Sequence, residues 1–121
     1  MRTASLCIAL FILLLPVATA QEFGGVRYLG QFTPPSGGSY IAGCWGWTDT
    51  TSGREYALLG NYAGTAIVEI TNVGAMVERD FVPGVGSGWR EIQVHENYAY
   101  VVSEGGSGTQ IIDLSYLPDS A

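Results

Sequence analysis

After residue 20 the chain is a succession of short apolar runs divided by glycine-rich turns, and no stretch shows helical periodicity. The runs predict strands at 26–32, 40–47, 55–61, 65–70, 76–82, 89–94, 98–103 and 109–114. Between them, Pro34-Pro35 with the glycines that follow, and the segments 49–53, 62–64, 72–74, 83–84, 95–97 and 105–108, read as turns. The fold class is therefore all-β. Ile67-Val68, Val101-Val102 and Ile111-Ile112 are consecutive apolar pairs rather than alternations, which predicts strands covered on both faces.

The pattern also repeats. Gly46-Trp47 followed by Tyr56-Ala57 returns 42 residues later as Gly88-Trp89 followed by Tyr98-Ala99. Residues 65–71 match 109–115 at an offset of 44, and the glycine loop 105–108 absorbs the slip. A period in the low forties built from short strands predicts β-propeller-type blades, because one four-stranded blade takes about 40–45 residues. A β-sandwich would alternate more cleanly and would not repeat. Blade one is predicted at about 40–83 and blade two, incomplete, at about 88–121, with 26–32 as a strand that closes the ring. A blade buries its faces only against its neighbours, and a closed propeller takes at least about four. The domain at 21–121 is thus expected to be the N-terminal part of a longer propeller, prone to self-association if naturally this short.

Residues 1–20 change the address rather than the fold. Arg2, the apolar run from Ala4 to Val17 and the Ala18-Thr19-Ala20 cleavage site form a signal peptide, and Pro16 with the small residues after it makes the run short for a membrane anchor. Export to the extracellular space, the cell surface or the periplasm is expected, with no membrane insertion after cleavage. The remaining chain has four arginines and no lysine against eleven carboxylates. Such an acidic chain has no footprint for nucleic acid or anionic lipid. Cys44 is the only cysteine after residue 20, so no disulfide forms within that part of the chain, and it is expected as a small core residue beside Trp45.

Several motifs in order resemble the choice-of-anchor B family, part of the LVIVD-repeat group of bacterial surface proteins. They are Trp45-Gly46-Trp47-Thr48-Asp49, Gly53-Arg54-Glu55-Tyr56-Ala57-Leu58, Gly64-Thr65, Trp89-Arg90-Glu91-Ile92 and Tyr98 through Glu104. Gln110-Ile111-Ile112-Asp113-Leu114-Ser115 is similar to the strand that names the repeat, as is Ala66 to Thr71 with Glu69 in place of Asp. The resemblance spans about 26–117. It implies a secreted, propeller-like protein several times this length, tethered to the cell surface by a C-terminal signal that is not among these residues. The chain departs from the family where Gly108 follows Ser107, a place where a His is expected.

Neither the residues nor the resemblance assigns a catalytic group, a metal site or a cofactor. His95, the only histidine, falls in a predicted turn, where a structural polar residue is the simpler account than a general base. Residues 49–55 carry oxygen ligands at alternate positions, as a calcium loop does, but lack its further acidic positions; a hairpin turn with Gly53 at positive φ explains them more simply. The candidate ligand site is the channel mouth. Trp89, Arg90 and Glu91 would begin the strand lining the axis, Trp47 and Asp49 would hold the equivalent place one blade earlier, and Glu104 lies nearby. Trp stacks on sugars and Arg forks onto carboxylates. The plainer alternative makes both tryptophans core fillers between blades and pairs Arg90 with Glu91 or Glu104. The function expected is a binding or scaffolding module for an unknown protein or glycan. The alternative is the N-terminal part of a propeller hydrolase or lyase whose catalytic residues lie in blades outside this sequence.

Overall fold

A computed structural model describes residues 22–38, 40–106 and 108–119. The predicted signal peptide lies outside the described residues. The strands are β1 (Glu22–Phe23), β2 (Val26–Arg27), β3 (Ile41–Thr48), β4 (Glu55–Asn61), β5 (Gly64–Glu69), β6 (Val77–Pro83), β7 (Arg90–His95), β8 (Tyr98–Ser103) and β9 (Gln110–Asp113). A 3₁₀ turn at Leu114–Tyr116 follows, capped by the Asp113 carboxylate, which accepts from the Ser115 N–H at 3.0 Å. Among the described residues no helix is long and apolar enough to cross a membrane.

The strands form two antiparallel meanders, β3-β4-β5-β6 and β7-β8-β9, and a small β1-β2 hairpin. The all-β expectation holds, and from β3 onward each predicted strand lies within a residue or two of an observed one. The predicted closing strand is different. Only Val26–Arg27 of 26–32 is a strand, and it pairs back onto Glu22–Phe23 through Gly24-Gly25, both at positive φ, so 28–32 joins no sheet. The segment after it is instead tied to the first sheet. Asn61 donates through Nδ2 to the Ser36 carbonyl at 2.9 Å, and the Ser36 N–H donates to Glu78 at 3.3 Å.

The core lies between the two sheets. Tyr56, Leu58 and Ile67 of the first sheet, with Trp47 and Val82 beside them, meet Ile92, Ala99, Val101 and Ile112 of the second, and Leu114 and Leu117 of the turn that follows it complete the cluster. Burying side chains of this size contributes about 1.5–3 kcal/mol each. Strands β3 and β7 run side by side in the same direction. Gly43 lies against the Arg90 carbonyl near their starts, and the Trp47 indole N–H donates to the Glu96 carbonyl at 2.9 Å beyond their ends. Coverage on both faces holds in β5, where Ile67 and Val68 are both buried, but not in the second sheet, where Val102 and Ile111 are exposed.

Cross-strand register corrects the repeat. Trp47 lies opposite Tyr56 and His95 opposite Tyr98, so Trp47 corresponds to His95, 48 residues on, and not to Trp89. The second strands correspond at 42 (Tyr56 to Tyr98) and the third at 44 (Ile67 to Ile111). The cause is the turn between first and second strands, which spans 49–54 in one sheet and only 96–97 in the other. Glu96 enters that shorter turn at φ 54°.

Candidate functional site

Sequence reading placed Trp47, Asp49, Trp89, Arg90, Glu91 and Glu104 at one mouth; the structure distributes them over three places. Trp47 closes the far end of β3, its ring 5.5 Å from that of Tyr56. Asp49 opens the β3-β4 turn. Its carboxylate accepts from the Thr51 N–H at 2.9 Å and from the Ser52 hydroxyl, and the Ser52 contact leads in holding its pKa below the usual 3.8. Gly53 sits at φ 73° and donates to the Asp49 carbonyl, so the segment that shares features with a calcium loop is a closed hairpin turn. Among the described residues no cluster of three or more His, Cys, Asp and Glu is positioned to hold a metal.

Trp89, Glu91 and Glu104 do come together. They line a shallow depression of about 340 Å³ with Val102 and Ser103, on the side of the second sheet that faces away from the first. Trp89 is 59% exposed, which overturns the expectation of a core filler. It precedes β7 instead of ending a first strand, so it lies at the opposite end of the sheets from Trp47. Cys44 is likewise exposed, not part of the core, because alternation along β3 turns it away from the second sheet.

Arg90 points the other way. Alternation along β7 turns Arg90 inward with Ile92, and only 3% of it remains exposed. Its Nε donates to the Asn61 carbonyl at 3.1 Å and its Nη2 to the Val85 carbonyl at 2.7 Å. The expected pairing with Glu91 or Glu104 does not form, since both carboxylates lie on the outer face. Burial pulls the guanidinium pKa below its ordinary value. Gly60 and Gly84 make room for it; a Cβ at Gly84 would stand 2.8 Å from Nη1. Arg90 lines an open depression of about 410 Å³ where the end of β6 and the segment after it meet β8, β9 and the loop between them, together with Pro83, Gly84, Val85, Val101, Gly106 and Gln110. Sequence reading missed this depression. The one available signal was a lone arginine alternating with apolar residues in Arg90-Glu91-Ile92-Gln93-Val94.

The ion pairs between described residues centre on Glu69, which takes Arg54 at 3.0 Å and Arg79 at 2.7 Å. Burial acts to raise the Glu69 pKa, but the Arg79 hydrogen bond and the charges of Arg79 and Arg54 outweigh it and hold it below 4.5. A depressed carboxylate pKa adds stability above its unfolded value, and that stability disappears as pH falls through the folded value. Glu69→Gln is therefore expected to cost about 1 kcal/mol at neutral pH, given two half-exposed partners. The difference should shrink as the medium is acidified below about pH 4.3. Urea melts of both proteins from neutral to acid pH check this; a gap that persists in acid would place Glu69's role in packing instead of charge.

Comparison with protein-family models, with curated proteins and with solved structures finds no match to this chain.

Proposed function

We propose that the two sheets are successive blades of a propeller-type fold, in an exported, surface-exposed protein that acts as a binding or scaffolding module for a protein or glycan. One observation carries the blade reading. The exposed face of the second sheet repeats, position by position, the face of the first sheet that the second sheet covers. Tyr98, Tyr100 and Ile111 correspond through the strand register to Tyr56, Leu58 and Ile67. The first three are 38–62% exposed, the other three at most 1%. A face of this kind, rich in large apolar side chains, marks an interaction surface, and the contact between the two sheets supplies a pattern for what covers it: another sheet of the same kind. The parallel run of β3 and β7 also suits first strands set side by side around one axis. The family resemblance agrees with this reading and supplies the cell-surface address, and the signal-peptide pattern supplies export. The exposed, unmatched tips at 49–54 and 96–97 are where a repeat scaffold presents recognition residues.

Two measurements test this. The 21–121 chain is expected to self-associate through the second sheet's outer face in light scattering, and Tyr100→Lys with Ile111→Lys to make it monomeric without loss of secondary structure. A monomer that melts cooperatively without either change would remove the support for blade stacking. For the activity, an array of polysaccharides and extracellular glycoproteins probed with the associated form is expected to retain it at one ligand class. Retention by none of them, with turnover of a chromogenic ester or glycoside, would favour an enzyme.

A further inference from the structure

We propose that residues 28–34 of one copy of this chain add to the free edge of β9 in a second copy, as the fourth strand of that copy's second sheet. The inference rests on the blade reading and goes beyond it by naming the segment that joins the copies.

Three observations lead to it. First, the two sheets differ by one strand. β5 of the first sheet has β4 on one side and β6 on the other, whereas among the described residues its counterpart β9 pairs with β8 alone. An unpaired edge presents a row of N–H and C=O groups, a template for a strand from another chain. Second, residues 28–34 carry the pattern of the strand that β9 lacks. Phe81-Val82-Pro83 at the end of β6 is matched 49 residues earlier by Phe32-Thr33-Pro34, with one β-branched residue in place of another at the centre. Arg90 opens β7 seven residues after Pro83, and Ile41 opens β3 seven residues after Pro34, so the spacing to the next first strand is also the same. Yet 28–32 joins no sheet, and Tyr28, Leu29 and Gln31 are exposed.

Third, the segment lies on the face where a second copy would bring its second sheet. Ser36 is tied to Asn61 and Glu78, and a Cβ at Gly30 would stand 3.1 Å from both the Met76 Cε and the Val73 carbonyl oxygen. Leu58 and Ile67 point toward the second sheet, so alternation turns Asn61, and Val68 with its partner Glu78, to the opposite side of the first sheet. The chain's own β9 belongs to the sheet packed on the other side. The edge open to 28–34 is therefore that of a second copy.

The first sheet supplies the register. Asp80 lies opposite Ile67 and Phe81 opposite Ala66. Carried through the two offsets, this sets Gln31 opposite Ile111 and Phe32 opposite Gln110. With each copy giving one strand and receiving one, two copies place four sheets around a two-fold axis, and about four blades are what a closed ring takes. The expected assembly is a dimer.

The test is a cross-link on the 21–121 chain with Cys44→Ser as background. Directly opposed strand residues stand about 4.5–5.5 Å apart at Cα, within disulfide reach. Chains carrying Gln31→Cys, mixed with chains carrying Ile111→Cys, are expected to form the mixed disulfide at the mass of a dimer. Gln31→Cys mixed with Gln93→Cys, which lies on β7 at the far side of the same sheet, is expected to form none. Amide hydrogen exchange reads the unsubstituted chain: the β9 N–H groups directed away from β8 should exchange about tenfold more slowly in the dimer than in dilute monomer. Association in light scattering without the mixed disulfide, or without that protection, overturns the strand exchange and leaves the blade reading standing. Equal cross-linking at Gln93→Cys also overturns it, as does a disulfide within one dilute chain carrying both Gln31→Cys and Ile111→Cys. A chain that remains monomeric overturns both readings.

Discussion

Leu58→Ala is expected to lower the unfolding free energy by about 2–5 kcal/mol, while Trp89→Ala changes it by less than about 0.5 kcal/mol. Leu58 is fully buried at the centre of β4, facing the second sheet. Its removal forfeits the transfer free energy of the deleted atoms and leaves a void between sheets that are each held by neighbouring strands and cannot simply close over it. Against a total of about 5–15 kcal/mol for an ordinary domain, that loss moves the denaturation midpoint far. Trp89, although larger, lies before β7 with most of its surface in water, and its backbone carbonyl still accepts from Glu104 after truncation. Urea melts followed by far-ultraviolet circular dichroism rank the two variants. The reverse order would mean that Trp89, not the β4 face, organises the core. If the outer face of the second sheet becomes covered on association, the Trp89→Ala effect should grow with protein concentration while the Leu58→Ala effect remains large throughout.

Gly43→Ala is expected to cost about 1–3 kcal/mol or more, and Gly46→Ala, three residues along the same strand, to be neutral within about 0.5 kcal/mol. A Cβ at Gly43 would stand 2.4 Å from the Arg90 carbonyl oxygen, and that oxygen belongs to the backbone of a neighbouring strand, so it cannot rotate away. The substitution must push β3 away from β7 where Gly43 packs on the Arg90 carbonyl. At Gly46 a Cβ meets nothing within 4 Å. Both residues have negative φ, so the contrast isolates space from backbone conformation. Equal costs for the two alanines would show that the approach of β3 to β7 does not limit the packing.

Local chemistry made the strands legible in sequence. Glycine and proline turns bracket apolar runs of strand length, so 55–61 and 98–103 were predicted at their observed bounds. The third-strand match at an offset of 44 is also real, because Thr65 to Thr71 and Thr109 to Ser115 share a pattern set by their pairing with β4 and β8. The Gly-Trp match at 42 misled. A dipeptide recurring at a fixed interval says nothing about how many residues the following turn consumes, and six in one sheet against two in the other moved the first strand's true partner to His95. The candidate site went astray with it, since Trp47 and Trp89 were set side by side on that match.

What the sequence determined by itself, then, is the all-β class, the strand bounds from β3 onward and the existence of two related units, because these depend on residues close together in the chain. Tertiary structure alone decided which face of each strand is covered. Arg90 and Glu91 are adjacent and both charged, yet one is buried between sheets and the other faces outward. That choice follows from the register of β7 against β8 and from the packing of β7 beside β3, and neither is encoded within the strand. The Arg90 depression has the same origin. Its wall joins Pro83 of the first sheet and Val85 of the connecting segment to Val101, Ser103 and Gln110 of the second, which only the packing of one sheet on the other brings together.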